Sequence, residues 1–594
     1  MSGTDAGAKS AETAAAAVPE TSKAVAAAAI AAEPDTQIEA GKPVEIAALD
    51  ESNNQPEDSG VRVQLTRIQF VLVYIGLLLA IFLASLDQTI VSTALKSIIQ
   101  ELGSQDKVAW LGSSYLLTAA PLGPLYGKFA DIFGRKYVFV FAILVFEIGS
   151  FMCGIATSMN FLIAGRAISG IGGGGIFSLV LIIISDIVSL RDRGKYQGLI
   201  GAVFGLSSVV GPVVGGTFSD HVSWRWCFYI NLPLGAITLA TVIAFLNFPP
   251  LEGTMSEKLK RIDGLGAVVL FGAIICLITP LQLGGTTWEW NSPQVIAMFV
   301  ISAVLFAIFA WVELKWAKEP IVPASIFINR TVPALLFVSI SLGAGFLSGI
   351  YYVSLFFQVV FGYSATQAGL STIPMVFGLV VMSISSGLLI SKTGTYRHFL
   401  FIGPVIMAVG IVLMSFLDGQ SSLVQQIFYL GIFGFGVGTM IQTRILGIQA
   451  AVPIEMIAVA TAVAQTANTL GSAVGIAITG TIFNNVIVTA TQDKTELMKV
   501  VAQLQPYGAD VRNVLPLLSI IARTAETQVP KDAIAAKVFN ETMAAATSQL
   551  IAGFNQSFKI AYLCILPYPV LIIVFACFVQ QFKLRGGKDA VVAE

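Results

Sequence analysis

The chain has 594 residues, 55% hydrophobic and 12% charged, with a formal net charge of −1 and a mean hydropathy of +0.81. Charged residues at about half the roughly 25% usual for soluble domains exclude an ordinary water-soluble globule, and the near-neutral balance excludes a bulk basic field for nucleic acid. Five scattered cysteines without a CxxC pair suggest neither a disulfide framework nor a zinc site, and two histidines, His221 and His398, both near expected helix ends, leave little for a metal or Ser-His centre.

Residues 1–66 are rich in Ala, Glu, Asp, Ser and Pro and read as a disordered tail without a secretory signal. Apolar runs follow at about 68–94, 108–127, 137–157, 161–186, 198–218, 227–248, 264–283, 294–314, 332–360, 366–391, 398–416, 424–448, 456–486 and 558–581. Each is long enough to cross a roughly 30 Å hydrocarbon core as a helix. The expectation is an all-α integral membrane protein of about fourteen spans. They divide into a six-helix half over 67–250, a linker with two extra helices over 251–331, and a second six-helix half over 332–581. Within that half, 487–556 reads as a small extracytoplasmic helical cap, and 582–594 is a short tail. With the N-terminus in the cytosol, the inner loops and flanks carry about twenty Lys and Arg and the short outer loops about three, so both termini are placed inside.

The first run, IQFVLVYIGLLLAIFLASL, ends on Asp87, a carboxylate whose insertion costs about 2.5–3.5 kcal/mol. Arg166 lies about as far from the matching end of the fourth run, so the two share a depth and can pair. Desolvation and a nearby cation act oppositely on such an acid, which makes Asp87 and Arg166 the candidate proton-coupling pair, against a static ion pair. In GKFADIFGRK (127–136), Gly127 and Gly134 permit a tight turn. There Asp131 can accept charge-assisted bonds from Arg135 or a neighbouring helix end, and Arg135 and Lys136 complete a candidate cytosolic gate; ordinary inner-loop charge is the alternative. Glu147 sits near the middle of the third run, where a local hydrogen bond explains it better than a transport role. GIGGGG (170–175) lies inside an apolar run with no following Lys-Ser/Thr, so it is not a nucleotide loop. In GLSSVVGPVVGG, Gly205, Gly211, Gly215 and Gly216 allow close helix approach and Pro212 a flexible point, with generic packing as the alternative. Tyr115, Tyr351, Gln358, Gln465 and Asn468 are candidates to line a weakly polar cavity, although interhelical hydrogen bonding explains them equally well. Arg444 lies near the inner end of its run, where snorkelling accounts for it, with a cavity role as the alternative. Asn540 begins an N-glycosylation acceptor in the segment placed outside; Asn329 begins another that is placed inside.

Two echoes indicate duplication. GKFADIFGRK is matched by GLLISKTGTYR (387–397), with glycines again seven apart at Gly387 and Gly394, and GPVVG (211–215) by GSAVG (471–475). Ser391 and Thr395 stand in the second loop where Asp131 and Arg135 stand in the first, so a gate built there is weaker or uses other partners.

These motifs carry a resemblance. LDQTIVSTAL, WLGSSYLLTAAPLGPLYGKFADIFGRK, FEIGSFMCGIA, GRAISGIGGGG, GLSSVVGPVVGG and WRWCFYINLPLG stand in the order of a major facilitator superfamily transporter, specifically the fourteen-helix drug:H⁺ antiporter family found in fungi. The resemblance covers about 68–581. It implies the major facilitator fold, two six-helix halves plus two inserted helices. It implies that loop 127–136 holds the halves together on the cytosolic side, and that the Gly205–Gly216 helix is the antiporter motif, which prevents leak. With no ATP site visible, an ion gradient must supply the energy. The expected function is proton-coupled efflux of a hydrophobic or amphipathic small molecule, such as a secondary metabolite, toxin or drug, by a plasma-membrane protein. The implied partners are the substrate, protons and the bilayer, with no cofactor, no metal and no nucleic acid, and the protein is expected to act as a monomer. The alternatives are a vacuolar basic amino acid or siderophore carrier and, in another class, a non-transporting solute sensor. An enzyme is not expected, because no catalytic pair is apparent.

Overall fold

The computed structural model describes residues 65–103, 107–248, 253–285, 288–492, 533–582 and 584. Among these the regular elements are helices: α1 (Arg67–Leu102), α2 (Val108–Phe133), α3 (Arg135–Gly154), α4 (Met159–Ile187), α5 (Arg193–His221), the short α6 (Trp226–Tyr229), α7 (Asn231–Phe245), α8 (Met255–Lys260), α9 (Gly264–Leu283), α10 (Pro293–Lys315), α11 (Thr331–Val360), α12 (Ala365–Ser371), α13 (Ile373–Thr393), α14 (Phe399–Met414), α15 (Leu423–Ala451), α16 (Ile457–Gln492), α17 (Ala533–Leu563) and α18 (Pro567–Ala576). Nearly all of the expected N-terminal tail, most of the 487–556 segment and the last ten residues lie outside the described residues.

Local sequence sets the helix starts. Thr66 with Gln69, Ser364 with Gln367 and Ser422 with Gln425 each form a capping box that satisfies orphan backbone donors. Pro293 occupies the first turn of α10, where its missing N–H is not needed.

Twelve helical segments among the described residues are long and apolar enough to cross a membrane. The apolar α14 is a shorter helix of 16 residues. Although α2 has 26 residues, it carries Ser113, Ser114, Thr118, Pro121, Pro124 and the charged end of the 127–136 motif, and is not among the twelve. The expected fourteen spans therefore rest on counting these two as well.

The last span differs from its expected bounds of 558–581. A candidate span runs over Ala544–Ala576, with turns at 564–566 and α18 opening on Pro567. Ala546, Leu550, Phe554 and Phe558 are already fully buried in it. Alternating polar residues such as Ser548, Gln549, Asn555 and Gln556 hid this helix from a hydropathy reading.

Each half has its own apolar core. One joins Val73, Leu77, Tyr126, Phe139, Phe146 and Ile183; the other joins Leu335, Phe356, Phe433, Met440, Phe558 and Tyr562. The duplicated glycines act alike in both. Gly134 (φ 97°) and Gly394 (φ 72°) end α2 and α13 in a conformation that L side chains rarely adopt. Gly211 and Gly215 seat α5 against Thr89, Ile90 and Thr93 of α1, while Gly471 and Gly475 seat α16 against Ile340 and Ala344 of α11.

Candidate functional site

At one level of the first half, four helices meet around Asp87. Its side chain is 0% exposed and that of Arg166 2%. Arg166 Nη1 donates to Asp87 Oδ2 at 2.5 Å, and its Nε donates to the Leu111 carbonyl at 3.2 Å. The second carboxylate oxygen accepts from Asn231 Nδ2 at 3.3 Å, and the same amide reaches Ser150 Oγ at 3.1 Å. The guanidinium lies 4.8 Å from the Tyr115 ring centroid and 6.0 Å from that of Phe228. The two groups expected to pair thus sit in contact, held by α1, α2, α4 and α7. Such a buried, charge-assisted pair is strong while intact, and removing one partner strands the other.

The carboxyl of Glu147, on α3, is buried against Gly235 of α7. The expected local hydrogen bond is absent: neither carboxyl oxygen has a partner among the described residues.

Tyr115 also faces a central cavity whose wall includes Gln88, Gln282, Gln465 and Asn468. A second space shares Phe177, Phe204, Phe346, Gln465 and Asn468 with the first and adds Gln442 and Arg444. The walls therefore come from both halves and from α9. Three of the five expected lining residues, Tyr115, Gln465 and Asn468, take part. Tyr351 and Gln358 line neither space; they are seven residues apart on α11, share an exposed face, and Tyr351 stacks edge-on against Tyr352. Arg444 does not snorkel: it is 4% exposed in the cavity wall.

The turn between α2 and α3 is tied within its own half. Arg135 donates from Nη2 to Asp131 at 2.6 Å and from Nε to Asp186 of α4 at 2.8 Å. Lys136 reaches the Ile243 carbonyl and Asn247. Lys128 pairs with Glu319, which Arg261 also binds at 2.7 Å; that hydrogen bond, foremost, holds the Glu319 carboxyl below the usual range. Gly127 instead crosses to the other half, against Ala458, Val459 and Ala462 of α16. Polar contacts between halves at this end include Gln197 Nε2 donating to Gln449 Oε1 at 3.3 Å and a set from the α4–α5 connection, which the sequence reading did not single out. Arg191 donates to the Ser391 and Lys392 carbonyls at the end of α13, and Ser391 Oγ donates to Asp192 at 3.1 Å. Ser391, where the repeat would carry an acid, thus meets an acid from the other half.

The α5 motif lies between the halves. Gly205 faces Val376 and Val380 of α13, Gly216 faces Thr366, and Pro212 packs on Gly369. Lower on the same helix, Gly194 and Gly387 meet backbone to backbone, and Ser383 Oγ donates to the Gly198 carbonyl at 3.2 Å. Glycines 170 and 172–175 serve helix packing: α4 is pressed against Tyr115, Thr118 and Ala119 of α2 and Ala142 and Phe146 of α3.

At the opposite end, Glu101 accepts from Arg225 Nη1 and Trp224 Nε1, each at 2.7 Å. These bonds, that from Arg225 foremost, lower its pKa. The side chain of Asn540, the glycosylation candidate, lies outside the described residues, while Asn329 is engaged, donating to the Ala451 carbonyl and accepting from the Thr331 amide.

Comparison with known proteins agrees with this architecture. The family model described as Major Facilitator Superfamily matches residues 77–476. The chain is 37% identical over 469 residues to a protein of Arthroderma benhamiae named MFS-type efflux pump MFS1, covering 78% of this chain and 88% of the relative. It is 35% identical over 460 residues to Efflux pump roqT of Penicillium rubens, covering 77% and 85% respectively. It also resembles, at a TM-score of 0.52 and 14% identity, the crystal structure of the human organic anion transporter MFSD10, over 86% of this chain and 98% of that one; at that identity the likeness speaks for the fold alone. Two duplicated halves enclosing a cavity, a family match across both, and relatives aligned over most of their length lead to one conclusion: this chain belongs to the Major Facilitator Superfamily.

Proposed function

We propose that this transporter exports a hydrophobic or amphipathic small molecule in exchange for protons. The observation that carries the reading is Tyr115, which stacks on the Arg166 guanidinium and lines the central cavity. A change at the Asp87–Arg166 pair is therefore felt directly at the cavity wall. Protonation of Asp87 from the acidic side weakens its hold on Arg166 and on Asn231, loosening α1 from α4 and α7. Rearrangement of these helices opens the cavity to the other side, where the proton leaves and the pair re-forms. Intramembrane ion pairs of this kind are functional by default, since an unpaired charge there is costly.

The cycle closes on the 127–136 side through two devices: the glycine-lined α5–α13 contact and the bonds of Arg191 and Asp192 to the end of α13. We place this side in the cytosol on the distribution of Lys and Arg, count α2 and α14 as spans to give fourteen, and assign the protein, as a monomer, to the plasma membrane. The relatives named as efflux pumps support the outward direction. The test is substrate flux into proteoliposomes containing the purified chain under an imposed pH gradient. Gradient-dependent accumulation supports the reading, and accumulation indifferent to the gradient refutes it.

A further inference from the structure

Arg444 is a buried cation without a counter-charge among the described residues. It sits on α15 in the wall of the second cavity, 4% exposed. Its Nη1 donates to Ser339 Oγ at 3.2 Å and to the Ala464 carbonyl at 3.4 Å, and its Nη2 donates to Gln465 Oε1 at 3.3 Å. Every one of these acceptors is neutral and every distance is long for a charge-assisted bond. The Nε has no partner among the described residues. The first half treats its buried arginine differently, giving Arg166 the carboxylate of Asp87 at 2.5 Å. Among the described residues, neither cavity lining contains an aspartate or a glutamate. An arginine keeps its charge in a protein interior, so the charge must be compensated by something else.

The surroundings describe that counter-ion. Phe177, Phe204 and Phe346 line both spaces and offer an apolar, aromatic surface, while Gln465 and Asn468 offer neutral hydrogen bonds beside the guanidinium. We infer that the substrate is an amphipathic organic anion: an apolar, preferably aromatic body that lies among the three phenylalanines, with a carboxylate that pairs with Arg444. This rests on the transport reading above and names the substrate class of the same cavity. A planar carboxylate fits the guanidinium fork with two parallel bonds, replacing the long contacts to Ser339 and Gln465. Gln465 is the natural relay, because it belongs to both spaces and to α16, which packs on α2 at Gly123 and Gly127. Anion binding that frees Gln465 from Arg444 thus acts on the contact between halves.

The test uses 9-anthracenecarboxylate, ionised at pH 7, and its neutral isostere 9-anthracenecarboxamide. Binding of each to the purified full-length protein is followed by fluorescence. The wild type is expected to bind the carboxylate at least tenfold tighter than the amide. Arg444→Gln is expected to abolish that preference, and Arg444→Lys to keep part of it. A wild type that binds the two within threefold, or fails to bind the carboxylate, overturns the inference, as does an unchanged preference in Arg444→Gln. If Arg444→Gln does not fold, the wild-type comparison and Arg444→Lys decide. Proteoliposome flux separates this from the antiport reading. Gradient-driven movement of the amide with no preference for the carboxylate leaves antiport standing and defeats the anion. Arg444-dependent carboxylate binding that no proton gradient converts into flux does the reverse.

Discussion

Replacing Asp87 by asparagine is the perturbation with the clearest consequence. Asparagine keeps the shape and one acceptor oxygen for Arg166 Nη1, but removes the charge and the ability to take up a proton. The pair is buried at 0% and 2% exposure, so little solvent screens it. Breaking such a pair costs about 3–5 kcal/mol, and at about 1.4 kcal/mol per tenfold that corresponds to a shift of roughly 100- to 4,000-fold in a two-state equilibrium. Asparagine falls toward the lower end, because the hydrogen bond survives in neutral form. The variant is therefore expected to insert and fold, to bind substrate and to exchange it between compartments at equal concentration. It is expected to lose uphill accumulation under a pH gradient. Both are measured on one proteoliposome preparation, as counterflow exchange and as gradient-driven uptake. Wild-type uptake with undiminished pH dependence in Asp87→Asn would refute the proton-carrying role and leave a structural ion pair.

Four further outcomes are expected. Gly387→Ala places a methyl group against the Gly194 carbonyl across the α5–α13 contact, and should destabilise the fold by about 1–3 kcal/mol, as overpacking does, with a matching loss of flux; thermal unfolding and uptake together check this. Glu147→Gln should fold and transport normally, since neither carboxyl oxygen has a hydrogen bond to lose among the described residues; loss of pH-driven flux would assign Glu147 to the proton path instead. Glu101 has a depressed pKa through Arg225 and Trp224, so its stabilising effect is present above the ordinary carboxylate value and lost only as pH falls below that range; melting curves of wild type and Glu101→Gln should differ at pH 7 and pH 5 and converge in stronger acid. Asn540→Gln should remove an electrophoretic mobility shift caused by N-glycan in a eukaryotic host, whereas Asn329→Gln should not.

The sequence exposed what local chemistry controls. Apolar length marked the helices, and paired glycines marked both the positive-φ helix ends and the contacts of α5 and α16. Asp87 and Arg166 were legible as a pair because both are charges at matching depth in apolar runs, where few partners exist. Their companions were not read, although each carried a signal. Asn231 is a lone amide in WRWCFYINLPLG, and Asp186 a lone acid closing an isoleucine run. What periodicity leaves out is the rotation of one helix about its axis relative to its neighbours. That is why Tyr351 and Gln358 line neither space while Gln465 and Asn468 line both. It is also why bonds between halves were sought at Asp131, which Arg135 of its own half binds, and are found at Arg191, Asp192 and Gln197. The early start of the last span escaped because its buried face of Ala546, Leu550, Phe554 and Phe558 is interleaved with polar residues.

Proton-coupled export is tested most directly by the wild-type chain alone in proteoliposomes, preloaded to hold a pH gradient and offered rhodamine 6G, 9-anthracenecarboxylate and its amide without ATP. The account predicts uphill accumulation of at least one probe on the acidic side, collapsing to the level of protein-free vesicles when nigericin dissipates the gradient. Accumulation that survives nigericin, or a gradient that moves none of the probes while the protein still binds them, would contradict it.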